Sequence, residues 1–465
     1  MTVATLLPFQ EKHFDALVSS LKKHDCVIDA SDTGTGKTYI ACAIAKKLGY
    51  KPIVVSPKAV ILSWARVMDQ FGVEPLGIAN YELFKGGRWY VPDTVSAGGV
   101  VSLGKKGKCS LVKVKDKKYT WNRDPAVLDK GDTVLFIFDE AHRCKNKATV
   151  NSKMLLSLRS FPGPHKIMLL SATIADKPKF FAVPATMLSL CAETDEFRLF
   201  SKVLDRGIAK AMTPVRKGPV VMQAPKGQST MLNLNKIVFP EYGSRMRVND
   251  LKGVFPDNRV IADSYVMDDE AVEEITKQYD YIKAVHAEAK EREENAPCYL
   301  VELLRARQKI ESLKVKTIAE MTTDSVQSGN SVVIFVNYLD TMALLQVMLG
   351  GIKCVIRGGQ TTEERQGHID DFNNDRERII ICQIQSGGVG ISLHDTIGDH
   401  PRVSLISPSW SAQDLMQTFG RIHRAQGKTP CIQKLIYCHG TVEDLICRIV
   451  NTKLINYKHL NDGSD

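Results

Sequence analysis

Short runs of apolar residues recur along this chain, and segments with helical spacing lie between them. Strands that are buried on both faces appear as continuous apolar runs of this length. The runs are Cys26–Ala30, Ile53–Val55, Val134–Phe138, Ile167–Leu170, Val332–Val336, Ile379–Ile381 and Val403–Ile406. Helical patterns such as Tyr39–Leu48 and Leu339–Leu349 separate them. The alternation predicts an α/β fold, with helices on both faces of parallel sheets.

The alternation occurs twice, and a chain of 465 residues is long enough for more than one domain. We predict a first lobe over residues 1–190, a linker and helical region over 191–328, and a second lobe over 329–465. Part of the linker, 192–258, is mixed and irregular in pattern. The second lobe is expected to end in a helix with Thr441 as its N-cap.

The segment Lys85–Lys130 does not follow the alternation and predicts a small β insertion in the first lobe. Val112 and Val114 alternate with lysines there, which is typical of a strand. These lysines could simply keep an exposed sheet edge soluble. Alternatively, Lys113, Lys115 and Lys117 could reach the phosphate backbone of a nucleic acid, and both interpretations stay open.

Charge and cysteine usage narrow the class of protein. The formal net charge is +10, which favours a polyanionic partner without requiring one. The 11 cysteines form no C-x-x-C pair, so we expect reduced thiols and an intracellular, reducing compartment such as the nucleus or cytoplasm. No apolar stretch approaches the roughly 18–20 residues of a membrane span, and Met1–Gln10 lacks the features of a signal peptide. We therefore expect no membrane association.

The strongest local motif is Ser31-Asp-Thr-Gly-Thr-Gly-Lys-Thr38, between a predicted strand and a predicted helix. This is the context of a phosphate-binding P-loop. Its backbone N–H groups would surround phosphate oxygens, and the helix N-terminus would favour the negative charge. The candidate contacts to ATP are Thr33, Gly34, Thr35, Gly36, Lys37 and Thr38. Lys37 would reach the β- and γ-phosphates, and Thr38 would bind Mg²⁺.

Two acids follow an apolar strand in Val134-Leu-Phe-Ile-Phe-Asp-Glu-Ala-His142. The carboxyl ends of parallel strands are where α/β sheets bind ligands. Asp139 is predicted to hold Mg²⁺, and Glu140 to polarise the attacking water.

The segment Asp139-Glu-Ala-His-Arg-Cys-Lys-Asn146 resembles the acidic motif of superfamily 2 helicases. Among these helicases it is most similar to the motif of the SWI/SNF-type translocases. Other segments resemble that family in the same order, namely Leu6–Gln10, Val54–Lys58 with Trp64, Asn80–Phe84 and Leu169–Thr173. The resemblance implies two RecA-like lobes that share one ATP. It also implies that Gln10 reads the adenine, and that His142, Ser171 and Thr173 couple ATP to nucleic acid. The Ser-Ala-Thr form of the last segment is more typical of helicases than of SWI/SNF proteins.

The second block continues the resemblance with Ser331–Val336, Gln385–Leu393 and Gln417–Gln426. Gly390 is thereby expected at the nucleotide, and Gln417 among the coupling residues. The transition state of phosphoryl transfer carries charge that an arginine from a facing lobe can stabilise when the lobes close. We predict Arg424 as this arginine finger, with Arg421 beside it.

The nucleic-acid contacts that the resemblance suggests are Lys58, Trp64, Tyr81, Ser386 and Gly388, with His394 as a further candidate. Phosphate contacts of this kind fix register without reading sequence. A buried aromatic ring is an equally good interpretation of Trp64. For His394 a structural role is the better one.

These features predict an ATP-hydrolysing nucleic-acid motor that uses Mg²⁺, with movement on duplex DNA as the first hypothesis. A helicase that separates DNA or RNA strands is an alternative, which the Ser-Ala-Thr form keeps open. A nucleotide-gated binding scaffold is another, although all residues expected for turnover are present. The compact chain resembles viral or prokaryotic members of the family, so association with a virus is also considered. The motifs identify no protein partner.

Overall fold

The computed structural model describes residues 5–91, 106–205, 208–211, 220–223, 230–251, 253–261, 264–265, 269–291, 297–387, 390–409 and 411–438. The chain divides after Leu251 into two compact units, called lobe 1 and lobe 2. None of the helices in these described ranges combines the length and the apolar character that a membrane crossing needs. The predicted N-cap Thr441 and its helix lie outside the described residues.

Lobe 1 is built on an eight-stranded sheet whose central strands are parallel. The described strands of lobe 1, in this sheet and in two separate pairs (β6 with β7, β10 with β11), are β1 (Cys26–Asp29), β2 (Lys51–Ser56), β3 (Gly77–Asn80), β4 (Arg88–Tyr90), β5 (Lys106–Lys108), β6 (Val112–Lys115), β7 (Lys118–Trp121), β8 (Val134–Asp139), β9 (His165–Leu170), β10 (Ile208–Ala211), β11 (Val220–Gln223) and β12 (Gly243–Ser244). The order in the large sheet is β12-β1-β9-β8-β2-β3-β4-β5, and only β4 and β5 join antiparallel.

Helices cover both faces of this sheet. They are α1 (Pro8–Lys23), α2 (Lys37–Leu48), α3 (Ile61–Phe71), α4 (Tyr81–Lys85), α5 (Val150–Ser157), α6 (Ala182–Met187), α7 (Phe197–Asp205) and α8 (Thr230–Val238). Successive strand residues point to opposite faces, so Val27 packs into the core beneath α1 to α3, whereas Ile28 packs into the core beneath α5 to α8. Burial on both faces explains why these strands are continuous apolar runs.

The predicted β insertion is present and has two parts. β4 and β5 extend the edge of the large sheet beyond β3, and β6 and β7 form a separate antiparallel hairpin. Leu111 and Trp121 are buried in the core of lobe 1. The insertion is therefore anchored to the lobe by its own apolar residues.

Lobe 1 extends well beyond the boundary expected near residue 190. Met231 and Leu234 of α8 pack into its core, and β12 pairs in parallel with β1. A side chain at Gly243 would lie 2.2 Å from the carbonyl oxygen of Ile28, so the close approach of these two strands requires glycine. The segment that reads as irregular in sequence is thus partly integral to the first sheet.

Lobe 2 contains a six-stranded parallel sheet of order β13-β19-β18-β15-β17-β16. Its strands are β13 (Asn258–Ile261), β14 (Ser264–Tyr265), β15 (Ser331–Val336), β16 (Val355–Ile356), β17 (Ile379–Gln383), β18 (Arg402–Ile406), β19 (Cys431–Leu435) and β20 (Tyr437–Cys438), of which β14 and β20 form a separate parallel pair. The predicted strands at Val332, Ile379 and Val403 are confirmed.

The helices of lobe 2 are α9 (Asp269–Glu291), α10 (Pro297–Leu313), α11 (Val315–Gln327), α12 (Leu339–Met348), α13 (Thr362–Asn373), α14 (Ile384–Gly387) and α15 (Ala412–Phe419). Val315 and Ile318 of α11 pack against Val332 and Ile334 of β15 in one core. The last helix of the predicted helical region therefore belongs to the core of lobe 2.

Candidate functional site

The predicted P-loop joins the end of β1 to the start of α2. Gly34 and Gly36 have φ of +87° and +93°, a conformation that side chains rarely adopt. Gly36 is the N-cap of α2 and contributes no side-chain cap. The N–H groups at the start of a helix then favour an anion. Lys37 Nζ donates to the carbonyl oxygens of Ser31 and Asp32, at 2.8 and 3.1 Å, so its charge is held against the loop.

Gln10 lies against this loop. Its side chain is buried and its Nε2 donates to the carbonyl oxygen of Thr35 at 2.9 Å. Its Oε1 accepts from the N–H of Leu7 at the same distance, which fixes the start of α1. A side chain at Gly36 would lie 2.2 Å from Gln10 Nε2, so this glutamine leaves no room for one.

A buried polar cluster supports the loop from behind. His13 Nε2 lies 3.1 Å from both Asp29 Oδ1 and Ser31 Oγ, and its Nδ1 lies 2.8 Å from Ser244 Oγ. Burial opposes ionisation of Asp29, but His13 and the Lys37 charge outweigh burial and hold the pKa of Asp29 below its ordinary value. The cluster therefore keeps a carboxylate beneath the loop.

The segment that follows β12 binds the loop directly. Arg245 donates to the carbonyl oxygen of Ala30 at 3.0 Å and to Asp32 Oδ1 at 2.8 Å. The N–H of Val248 donates to Asp32 Oδ2 at 2.9 Å. The end of lobe 1 therefore fixes the conformation of its P-loop.

The two predicted acids stand at the carboxyl end of β8. Asp139 Oδ2 accepts from Trp64 Nε1 at 2.9 Å, and Asp139 Oδ1 accepts from the N–H of Glu140 at 3.0 Å. Tyr81 Oη donates to the carbonyl oxygen of Asp139 at 2.8 Å. Glu140 has a left-handed φ of +55°, which is uncommon for a residue with a side chain. Strained backbone of this kind is often found at functional sites.

Burial, followed by the charge of Glu140, raises the pKa of Asp139 to about 6. The Trp64 hydrogen bond and the Lys37 charge act in the opposite direction. Lys37 is thus close enough to Asp139 for their charges to interact, as ATP and its metal would require.

Trp64 and Tyr81 are not on the surface of lobe 1. They were expected as nucleic-acid contacts, but their side chains are only 1% and 3% exposed and face Asp139. The structure corrects their placement. Apolar packing holds both rings in the core of lobe 1, where Asp139 is the polar partner of each. Lys58, on the turn before α3, is exposed as a phosphate contact requires.

The proposed coupling residues of lobe 1 form one chain of contacts. His142 Nδ1 lies 3.2 Å from Glu140 Oε2 and 3.0 Å from Ser171 Oγ. The N–H of Thr173 donates to Ser171 Oγ at 3.2 Å. Burial lowers the pKa of His142, which favours its neutral form in this network.

The predicted arginines of lobe 2 converge on one carbonyl oxygen. Arg421 Nη1 and Arg424 Nη2 both donate to Ile391, at 3.1 and 2.9 Å. Arg421 Nε also donates to the carbonyl oxygen of Gln417 at 2.8 Å. Burial, and then the charge of Arg421, lowers the pKa of Arg424 to about 9. Arg424 forms no ion pair within the described residues, so its charge would gain from an anion.

The remaining predicted residues of lobe 2 lie close to Ile391 along the chain. Gly390, next to Ile391, is exposed and has a φ of +76°. Ser386 is half-buried, and its carbonyl oxygen accepts from Arg365 at 2.6 Å. Gly388 lies outside the described residues. Burial and then Arg424 lower the pKa of His394 to about 4, which leaves it neutral near pH 7.

The supporting residues His13, Ser244 and Arg245 were missed by reasoning from the sequence. His13 follows Gln10 by three residues, so the helical period could have placed both on the same face of α1. Arg245 gives no local signal, because its partners are more than 200 residues away in the chain.

Two family descriptions match this chain. Residues 4–176 match "Type III restriction enzyme, res subunit", and residues 313–426 match "Helicase conserved C-terminal domain". The first match contains the P-loop and the two acids, and the second contains Gly390, Arg421 and Arg424.

Three relatives extend the likeness over almost the whole chain. A protein of Acanthamoeba polyphaga mimivirus named as an ATP-dependent RNA helicase is 36% identical, over 99% of this chain and 84% of its own length. The CHD3-type chromatin-remodeling factor PICKLE of Arabidopsis thaliana is 22% identical over 98% of this chain. A SWI/SNF-related regulator of chromatin, subfamily A-like protein 1, of Drosophila melanogaster is 22% identical over 96%. The chain spans 34% and 55% of the last two relatives.

Proposed function

The chain belongs to the SWI/SNF-like superfamily 2 helicases, and on this premise we propose that it is an ATP-driven motor that moves along duplex DNA. The observation that carries the proposal is the arrangement around Asp139. The P-loop lysine and the strained Glu140 are close enough for their charges to act on Asp139, a half-buried carboxylate at the carboxyl end of a central parallel strand.

The residues of lobe 1 have complementary roles in phosphoryl transfer. Lys37 exchanges its carbonyl partners for the β- and γ-phosphates, and the N–H groups of Thr33 to Gly36 surround the same oxygens. Glu140 accepts a hydrogen bond from the attacking water and orients it. Gln10, which already contacts Thr35, also donates to the adenine.

Mg²⁺ fits the residues at this site. Magnesium in nucleotide enzymes is held by one or two protein oxygens together with phosphate oxygens and water. Asp139 is a half-buried carboxylate whose pKa is raised by desolvation and by Glu140, so a nearby cation would stabilise its ionised form. Thr38, in the first turn of α2, offers a hydroxyl group. The ion would neutralise charge that develops on the phosphates.

Arg421 and Arg424 supply positive charge to the γ-phosphate in the transition state. Two cations held on one carbonyl oxygen, one with a pKa of about 9, are stabilised by an incoming anion. His142, Ser171 and Thr173 connect Glu140 to the nucleic-acid side of lobe 1. Through this connection, bound nucleic acid increases turnover.

Duplex DNA is the proposed track because the ordered motifs resemble SWI/SNF translocases and two relatives are named for chromatin. A strand-separating RNA helicase is the second candidate, since the mimivirus relative carries that name. The Ser171-Ala-Thr173 sequence also favours this second candidate.

Two displacement assays separate these candidates. A triplex assay measures release of a third strand from an intact DNA duplex, and an unwinding assay measures separation of DNA or RNA duplexes. We expect third-strand release that requires ATP and little unwinding, with Lys37→Ala inactive in both assays. Unwinding of RNA without third-strand release would refute the proposed track in favour of the helicase. A scaffold without turnover would be inactive in both assays.

A further inference from the structure

Strand β5 and the β6–β7 hairpin together concentrate positive charge on the surface of lobe 1. Residues 106–121 contain six lysines and one aspartate, which amounts to half of the formal net charge of +10 of the chain. The six lysines are Lys106, Lys108, Lys113, Lys115, Lys117 and Lys118, and all are exposed. None of them forms an ion pair with another described residue.

The strand register decides which of these lysines act together. Lys113 pairs with Thr120, and Lys115 pairs with Lys118, whereas Val114 pairs with Tyr119. Alternate residues of a strand share a face, so Lys113, Lys115 and Lys118 point away from the lobe. Lys117 lies in the turn, with a φ of +58°.

This arrangement has an electrostatic cost in the free protein. Like charges directly opposite each other across an antiparallel pair are destabilising, as for Lys115 and Lys118. The same occurs at the neighbouring sheet edge, where Arg88 pairs with Lys108. Lysines that only keep a sheet edge soluble have no need to face one another, whereas a bound polyanion would offset the repulsion.

The inner face of the hairpin holds this surface rigidly on lobe 1. Trp121 Nε1 donates to Ser157 Oγ at 2.9 Å, and its ring contacts Phe136 with centroids 5.6 Å apart. Tyr119 Oη donates to the carbonyl oxygen of Lys85 at 3.3 Å. A rigid surface loses little conformational entropy when it binds, so its charges can contribute to affinity.

The hairpin also connects to the candidate site. The Trp121 ring packs against Phe84 of α4, with centroids 6.1 Å apart. Tyr81, in the same short helix, donates to the carbonyl oxygen of Asp139. Ligand bound on the hairpin is therefore a few contacts away from the predicted metal-binding acid.

We propose that Lys113, Lys115 and Lys118 bind the phosphate backbone of duplex nucleic acid, as a second contact surface outside the motifs of the two lobes. The inference rests on the proposed nucleic-acid motor. Residues two apart on a strand are separated by about 6.8 Å, which matches the rise of two nucleotides at about 3.4 Å each. Contacts of this kind add affinity without sequence preference.

The test measures duplex DNA binding by fluorescence anisotropy over a range of salt concentrations. The test variant combines Lys113→Gln, Lys115→Gln and Lys118→Gln. The matched control combines Lys12→Gln, Lys22→Gln and Lys46→Gln, three exposed lysines on α1 and α2, on the opposite side of the sheet. A third variant replaces the three hairpin lysines with arginine. It retains the charge and separates loss of charge from damage to the hairpin.

Each phosphate contact contributes about 0.9 to the slope of log affinity against log salt, so loss of three contacts reduces the slope by about 2.7. We expect the glutamine variant to bind at least about tenfold more weakly near 100 mM salt. The arginine variant and the control should bind like wild type. Basal ATP turnover without nucleic acid should be unchanged in all of them.

The binding surface and the nucleic-acid motor predict different results for these variants, so each proposal can fail separately. In one outcome, duplex DNA stimulates turnover while the glutamine variant and its control bind that DNA with equal affinity and equal salt dependence. This result would overturn the binding surface and keep the motor. Binding that depends on the hairpin without any stimulation of wild-type turnover would overturn the motor and keep the surface. Loss of binding in the arginine variant as well would show that the charge does not carry the contact.

Discussion

The hydrogen bond from Trp64 to Asp139 offers a sharp test of the nucleotide site. Trp64→Phe keeps a buried aromatic ring but removes the Nε1 donor, which lies 2.9 Å from Asp139 Oδ2. A hydrogen bond to a charged group contributes about 1.5 kcal/mol or more to its stability. A change of one unit in pKa corresponds to about 1.4 kcal/mol. Because the donor stabilises the carboxylate, its loss should raise the pKa of Asp139 from about 6 to about 7.

The consequence is a shift in the pH dependence of ATP turnover. Activity requires the carboxylate and is lost as the pH falls through the pKa of Asp139. The pH profile of kcat/KM reports ionisations of the free enzyme, so its acid limb should move upward with this pKa. Relative to wild type, we expect kcat/KM to fall about twofold at pH 7 and about fivefold at pH 6.

Trp121→Phe is the matched control for this variant. Trp121 is also buried in lobe 1 and also donates a hydrogen bond, but to Ser157. Both variants should lower the melting temperature, since each leaves space in a packed core. Only Trp64→Phe should move the acid limb. If Trp64→Phe is folded and the acid limb of its pH profile is unchanged, the assignment of Asp139 as the ionising group is refuted.

Three further substitutions test the P-loop, the arginine pair and a buried ion pair of lobe 2. Gly36→Ala would place a Cβ 2.2 Å from Gln10 Nε2 at a φ of +93°, so ATP affinity measured by calorimetry should fall at least about tenfold. Arg424→Gln should lower kcat roughly 1,000-fold with little change in ATP affinity, because an arginine finger acts in the transition state. Asp375→Asn removes the partner of Arg402, which is 1% exposed, and should cost about 3 kcal/mol or more in urea unfolding.

Each of these substitutions has a control and a result that would count against it. Gly49 also has a positive φ but has nothing within 4 Å, so Gly49→Ala should leave ATP affinity intact. Normal ATP affinity in Gly36→Ala would contradict the contact with Gln10. A kcat near wild type in Arg424→Gln would remove the arginine from the reaction. Asparagine tolerates the φ of +54° at position 375, so unchanged stability would show that the buried charge pair contributes nothing.

The sequence predicts the parts of this fold that are encoded locally. Apolar runs such as Val134–Phe138 are continuous because both faces of each strand are buried, and they lie inside the observed strands. The P-loop and the two acids depend on residues adjacent in sequence, and in the structure the charge of Lys37 acts on Asp139. His142, Ser171 and Thr173, which the resemblance predicts as coupling residues, also contact one another in sequence order.

Features that depend on contacts between residues far apart in the sequence were not predictable in this way. β12 has two residues and no periodic pattern, yet it brings Arg245 to the P-loop. The inward position of Trp64 depends on an acid 75 residues away, and a helical apolar face does not reveal such a partner. The hairpin register, which groups Lys118 rather than Lys117 with Lys113, depends on the type of turn.

An ATP-driven motor is tested by the ATP turnover of the wild type and of Glu140→Gln, each measured with and without saturating duplex DNA. Glu140 is the residue predicted to orient the attacking water, and glutamine keeps its shape without the charge. We expect duplex DNA to stimulate the wild type, whereas Glu140→Gln should bind ATP but hydrolyse it at least about a hundredfold more slowly. Turnover at the wild-type rate in Glu140→Gln, or no turnover of the wild type under any condition, would contradict an ATP-driven motor at this site.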